Sequence, residues 1–252
     1  MGIFLRSTNA KQTNFTFEDT LTQIGLGYPF LFLLGRAKPK QQWAAFGLIL
    51  IGYWTAWSLY PLPVQPFAAH WWKADNLGVA FDAWFLNLFP RPEAFVVNRG
   101  GYGTLSFIPT LGTMILGLIA GQLLKDKAPL KRYLQLAAIL IAGALVLHFA
   151  GINPIVKRIW TPAWTLFSGG ICFLFLAGFR YILEVRAWTR WAFPLVVVGM
   201  NSIAAYWIAH VLEHPIADSL RIHLGEAFSI GPIILGLEWL VLYWMYRRQL
   251  FL

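Results

Sequence analysis

Long apolar runs divided by short polar connections set the pattern of this chain. A helix needs roughly 20 mostly apolar residues to cross the hydrocarbon core of a bilayer. Runs of that kind fall at Phe17–Gly35, Gln41–Leu59, Thr104–Leu124, Tyr133–Ala150, Pro162–Tyr181, Ala192–Val211 and Ile230–Tyr246. The pattern predicts an all-α fold, a polytopic membrane helix bundle of about seven transmembrane spans, with residues 1–252 forming a single membrane domain. The first run is the most polar at its start, where Glu18, Asp19 and Gln23 stand; carboxylates there are favoured by the helix dipole without any chemistry. Thr161 followed by Pro162 reads as an N-cap and first-turn proline. Gly117 and Gly121 make a small-xxx-small pair in the third run, and Gly169 and Gly170 stand together in the fifth. Such residues let helix backbones approach closely in lipid.

The segment 61–103 breaks the pattern. Pro61, Pro63, Pro66, Pro90 and Pro92 interrupt it. Within it Leu77, Phe81, Trp84, Phe85 and Leu88 fall at helical spacing, with Asn76, Asp82 and Asn87 between them. That spacing predicts a short amphipathic helix, lying on the membrane interface or packed on the spans.

Composition narrows the class. Charged residues are 12% of the chain and hydrophobic residues 58%, against about a quarter charged in soluble domains. The net charge of +9 sits in short clusters between the apolar runs. It therefore reads as a topology signal, not as a nucleic-acid surface. Arg36, Lys38 and Lys40, then Lys125, Lys127, Lys131 and Arg132, then Arg180, Arg186 and Arg190, then Arg247 and Arg248 form the denser of two alternating sets. Placing that set in the cytoplasm puts the C-terminus inside, and the N-terminus and the segment 61–103 outside. The protein is then a multi-pass protein of the cell membrane, the inner membrane in a bacterium, with the lipid bilayer as its first partner. The chain opens on polar residues without a signal peptide, so an exported N-terminus leads to the expectation that earlier spans are missing. The lone cysteine, Cys172, allows no intrachain disulfide and no cysteine metal site.

Polar groups inside spans are the pointers to chemistry. Ser202, Tyr206, His210, Glu213 and His214 step along one face of the sixth span, and Asn201 precedes them. A histidine near a carboxylate can move a proton close to neutral pH, which makes His210 the candidate catalytic base, with Asn201, Ser202 and Tyr206 as hydrogen-bonding groups. The alternative is a helix end meeting water and headgroups. His210 and His214 have the spacing of a metal pair, but no third ligand is evident, so no metal is assigned. Glu238 is an intramembrane carboxylate in the last span, which must face the bundle interior, be protonated or pair. His148 is its candidate partner.

Several segments resemble the transmembrane acyltransferases related to heparan-α-glucosaminide N-acetyltransferase and their bacterial homologues. Leu21-Thr22-Gln23-Ile24-Gly25-Leu26-Gly27-Tyr28 is similar to the family's LQR(I/L)G…Y span, with Gln23 in place of the arginine. Gly103-Thr104-Leu105 running to Gly117-Leu118-Ile119-Ala120-Gly121 looks like its GxLxT…LGxxAG segment, without the acidic residue that precedes it. Asn153-Pro154-Ile155-Val156-Lys157-Arg158-Ile159-Trp160-Thr161 is similar to its PxNKxLW(S/T) stretch, with Val156 in place of the asparagine. Gly199-Met200-Asn201-Ser202 matches its GMN(S/A) motif, and Tyr246-Arg247-Arg248 its closing YR(K/R). The resemblance implies transfer of an acetyl group from acetyl-CoA to an amino sugar across the membrane. It adds Gln23, Lys157 and Trp160 to the candidate substrate- or cofactor-binding residues. The spans read here resemble the C-terminal seven of the family, whose proposed catalytic histidine lies earlier. The expectation is a partial homologue whose uncovered face is filled by lipid or by another protomer. The alternative is a non-enzymatic bundle: transporter-like, a scaffold or an inactive remnant.

Overall fold

The computed structural model describes residues 2–7, 11–62, 66–211, 213–224 and 230–251. All regular structure among them is helical, and the chain divides into two compact units, Met1–Tyr181 and Ile182–Leu252. Pro63 lies outside the described residues, and so does the side chain of His214.

The first unit contains α1 (Gly2–Ser7), α2 (Thr20–Gly35), α3 (Pro39–Ser58), α4 (Leu77–Phe85), α5 (Phe107–Lys125), α6 (Leu130–Phe149) and α7 (Pro162–Arg180). Helix α5 is its centre, packing on α2, α3 and α7, while α6 and α7 form a long hairpin. Phe46, Leu50, Leu111, Ile115, Leu116, Tyr133, Leu140 and Phe173 fill the core between them. The opposite faces stay apolar: Leu48, Ile51, Ile139, Val146 and Phe175 are all exposed. A water-facing surface would not carry rows of such residues along its helices, and lipid is the solvent that suits them.

Among the described residues, three helices are long and apolar enough to cross a membrane: Thr104–Lys125, Leu130–Phe149 and Pro162–Val185. The last of these extends α7 through a π turn at Tyr181–Val185. Thr161 caps α7 as its sequence predicts, accepting from the Trp164 backbone N–H at 3.2 Å with Pro162 in the first turn. Helix α2 is shorter than the first apolar run, beginning at Thr20 rather than Phe17. Two of the three residues it gives up serve the loop side instead: Phe17 packs on Phe85 and Phe89, and Glu18 accepts from Asn98 and Thr16.

The second unit holds α8 (Phe193–Met200), α9 (Ser202–Val211), α10 (Glu213–Leu224) and α11 (Ile230–Arg247). Here the continuous sixth span expected over Ala192–Val211 is corrected. It is broken at Asn201 into α8 and α9, bent by 74°. The bent pair would make a fourth crossing if it counts as one span. Asn201 leaves helical geometry (φ −132°, ψ 44°) and is fully buried, its side-chain amide donating to the Leu250 carbonyl at 2.9 Å. Asparagine can trade the helix ladder for a bond of its own side chain, and here the bond it makes holds the bend against the end of the chain. Val197, Ala204 and Leu242 are the small core of this unit.

The glycines do not divide as the small-xxx-small spacing suggests. A Cβ on Gly117 or Gly121 would meet nothing within 4 Å, whereas one on Gly170 would lie 3.0 Å from the Ala137 carbonyl oxygen and 2.6 Å from Ile141 Cγ1. The close helix approach in this bundle is therefore α6 on α7.

Candidate functional site

Helix α9 carries the candidate base. Ser202, Tyr206 and His210 share one face, with Ser202 and His210 exposed and Tyr206 partly buried. The His210 ring stacks on Tyr206 with centroids 4.0 Å apart, and its Nδ1 lies 2.9 Å from the Tyr206 carbonyl oxygen. A carbonyl only accepts, so Nδ1 is the donor in this contact, and the tautomer that matches it has its lone pair on Nε2. Ser202 lies two turns back, about 12 Å along the helix axis, and does not reach this ring. The amide of Asn201 is turned to Leu250 instead. Of the three groups expected beside His210, Tyr206 alone touches it, through its ring and its backbone carbonyl.

Glu238 on α11 is half-buried and lines an apolar groove with Pro194, Val198, Ala205, Ala209 and Trp239; its Oε1 has no hydrogen-bond partner among the described residues. His148 ends α6 in the first unit, where its Nδ1 accepts the Ile155 backbone N–H at 3.3 Å. That bond helps close the turn between α6 and α7.

The remaining candidates are in the first unit. Gln23 is buried and spent on both sides: its Oε1 accepts from the Thr110 hydroxyl at 3.2 Å, and its Nε2 donates to the Glu18 carbonyl at 3.2 Å. It ties α2 to α5. Residues 153–161 form a cinched loop. Thr161 Oγ1 donates to the Pro154 carbonyl at 2.7 Å, and Asn153 Oδ1 accepts from the Ala163 N–H at 2.8 Å. Lys157 projects outward from this loop. Trp160, held in the left-handed region at φ 53°, donates from Nε1 to the Thr113 hydroxyl at 3.1 Å.

A polar centre lies on α4, the helix expected to lie on the membrane interface or to pack on the spans. The helix forms where its spacing predicts, capped by Asn76 Oδ1, which accepts from the Val79 N–H at 3.0 Å. Two of the three polar residues of this stretch, Asn76 and Asp82, turn inward, and the third, Asn87, is exposed. Asn76 and Asp82 are buried, while Trp84 and Leu88 are more than 60% exposed. Both Asp82 oxygens fall on the Thr104 backbone N–H, at 3.0 and 3.3 Å. The Thr104 side chain also bears on this carboxyl, yet its Oγ1 lies outside hydrogen-bond geometry. Burial pushes the Asp82 carboxyl above its usual range, with Thr104 and Arg91 working against the rise and Glu18 adding to it.

Around Asp82 stand Tyr53, Trp57, Trp71 and Ser106. Tyr53 donates to the Ile159 carbonyl at 2.9 Å, and Trp57 lies parallel to Trp71 with centroids 5.9 Å apart. The strap 98–103 closes over them. Asn98 donates to Glu18 Oε1 at 3.0 Å, and Arg158 to the Gly100 carbonyl at 2.9 Å. Gly101 takes φ 75°, with the Lys73 stem where a side chain would go. The one signal in the sequence was a lone carboxylate between Phe81 and Trp84.

No group of three or more His, Cys, Asp or Glu side chains that could hold a metal is found among the described residues. No family model matches the chain, and no curated protein matches it.

Proposed function

We propose that this protein is a multi-pass membrane protein of seven spans that transfers an acyl group to an amine-bearing acceptor, with His210 as the base. The N-terminus and the segment 61–103 lie outside in this reading, and the C-terminus lies in the cytoplasm. The observation that carries the chemistry is the pose of the His210 ring, with Nδ1 on the Tyr206 carbonyl. A ring donating there from Nδ1 presents Nε2 as a base, and stacking on Tyr206 holds the ring in that pose.

The donor class follows from the motif resemblance: acetyl-CoA supplies the acyl group as a thioester. Cations suited to its phosphates stand at one end of the second unit. Phe193 packs on Tyr243 and Tyr246, so Arg190, just before α8, shares that end with Arg247 and Arg248. The acceptor nitrogen bonds the acetyl carbon as His210 Nε2 takes its proton; the thioester C–S bond breaks, and the departing coenzyme thiolate receives that proton to leave as the thiol. Tyr206 keeps the ring from turning. The amino-sugar acceptor rests on the resemblance alone.

The test is purified protein in nanodiscs with acetyl-CoA and glucosamine. His210→Ala is expected to lower transfer by about 10²–10⁴-fold, the usual contribution of a positioned base. Wild-type transfer no higher than that of His210→Ala would overturn the proposal. A reporter fused after Leu252 that reads out on the outer side would overturn the topology.

A second reading draws on Glu238, an unpaired carboxylate in an apolar groove. It makes the bundle a proton-linked carrier without transfer chemistry. Proton uptake by proteoliposomes that is lost in Glu238→Gln, with no acyl transfer in the assay above, selects it.

A further inference from the structure

We propose that the cavity beneath the 98–103 strap is a binding site for a single uncharged hydroxyl group, which donates to Asp82 and accepts from the Trp57 indole N–H. The site does not depend on the acyl-transfer reading.

The cavity is bounded by Trp57, Asn76, Asp82, Asn98, Tyr102 and Ser106, among others, and has room for about one oxygen-sized group. Its polar walls are almost wholly buried: Trp57 is 2% exposed, Asp82 3% and Ser106 3%. Trp57 Nε1 lies near the Tyr53 hydroxyl but makes no hydrogen bond among the described residues. Asp82 receives one backbone N–H on its two oxygens, while a carboxylate has about four acceptor positions. Buried donors are nearly always matched in folded proteins, so the unpartnered indole N–H and the acceptor positions still open on Asp82 specify the guest.

An indole nitrogen only donates, and an ionised carboxylate only accepts. An ammonium group would serve Asp82 and leave the indole unmatched. An anion would serve the indole and be repelled by Asp82. A hydroxyl does both, since it carries one donor and two acceptor lone pairs. The raised Asp82 carboxyl fits such a neutral guest, because its protonated form can hydrogen-bond a hydroxyl as well. The walls are built to hold shape. A Cβ on Gly78 would lie 3.0 Å from the Trp57 ring, and one on Gly101 would lie 2.8 Å from Lys73 Cγ. Water and an alcohol hydroxyl share this chemistry, and the experiment separates them.

The protein is labelled with ¹⁵N at its indole nitrogens and placed in nanodiscs. The Trp57 signal is the one missing from Trp57→Phe, which keeps a ring against Trp71. The expected result is an indole proton that is hydrogen-bonded, in contact with a hydroxyl or water proton, and moved by Asp82→Asn. Glycerol then serves as the alcohol probe. A saturable shift that Asp82→Val abolishes identifies an alcohol site. A contact that glycerol leaves unchanged identifies a water site. An indole proton with no such contact, unmoved by Asp82→Asn and by glycerol, overturns the proposal. If Trp57→Phe does not fold, the infrared carboxyl band lost in Asp82→Asn reads the same contact from the other side. It should shift with glycerol for an alcohol and with H₂¹⁸O exchange for water. A band that responds to neither overturns the proposal.

Discussion

Replacing Gly170 by alanine tests how the first unit is held together. The α6–α7 hairpin is its most closely packed pair, with Ala137 and Ala144 of α6 fully buried. The added Cβ would sit 2.6 Å from Ile141 Cγ1, 3.0 Å from the Ala137 carbonyl oxygen and 3.1 Å from the Ile141 nitrogen. The first contact is about 0.8 Å inside the 3.4 Å at which ordinary van der Waals contact begins. The Ile141 side chain can turn away, but the two backbone atoms cannot, so the helices must part. Overpacking of this kind costs about 1–3 kcal/mol, and alanine returns up to about 1 kcal/mol of helix propensity. The net expectation is a loss of about 1–2 kcal/mol. Gly117→Ala meets nothing within 4 Å, so the propensity term stands alone, a gain of about 0.5–1 kcal/mol. Gly169→Ala falls between them, because its nearest neighbour is the end of the flexible Leu116 side chain. Thermal unfolding in one detergent should rank Gly117→Ala, wild type, Gly169→Ala and Gly170→Ala from most to least stable. If Gly170→Ala matches wild type while Gly117→Ala falls below it, α5 rather than the α6–α7 hairpin carries the close helix contact.

Asp82→Asn keeps an acceptor for the Thr104 N–H and removes a buried charge. Burial raises the folded Asp82 carboxyl, so the unfolded chain loses this proton first as pH rises. Wild-type stability should fall from the ordinary carboxylate range up to the raised folded value, then level off. Asp82→Asn should lack that slope and be the more stable protein at neutral pH; a wild-type curve that rises over this window contradicts the assignment. Asn201→Ala removes the bond to Leu250 and leaves that carbonyl without it, at about 1–3 kcal/mol. Faster proteolysis after residue 247, with the first unit unaffected, is the readout; unchanged cleavage would mean that the bend holds itself.

The long helices were legible because lipid imposes one length and one composition on them. Tyr133–Ala150 and Pro162–Tyr181 were read to within a turn of Leu130–Phe149 and Pro162–Arg180. Thr161 was legible as a cap because its chemistry is local. The break at Asn201 was not. Hydrophobicity runs unchanged through Val198, Gly199 and Met200, and the step from Ser202 to Tyr206 to His210 holds as well within α9 alone as in an unbroken span. At the bend Asn201 bonds to Leu250, far along the sequence, and no window on residues 192–211 contains that partner. The glycines failed for a related reason. Spacing shows that two small residues share a face, as Gly117 and Gly121 do, but whether a helix lies against that face is a property of the bundle.

Helix α4 shows the same limit at the site itself. Periodicity separated Asn76 and Asp82 from Trp84 and Leu88 correctly, because it measures the angle between two faces. It carries no information about which face looks inward. In water the apolar face turns in, and the inference is safe. Beside lipid the external medium is itself apolar, so the sign of the argument is lost, and a polar face is free to turn in wherever partners wait for it. Here they do: the Thr104 N–H meets Asp82, and the Val79 N–H meets Asn76. Trp84 and Leu88 are left outside, as an interfacial helix requires. Asp82, which the sequence placed only on an amphipathic helix, is thus a buried carboxyl, 3% exposed. Its neighbours Trp57 and Thr104 came into view only once the strap 98–103 was seen to close over them.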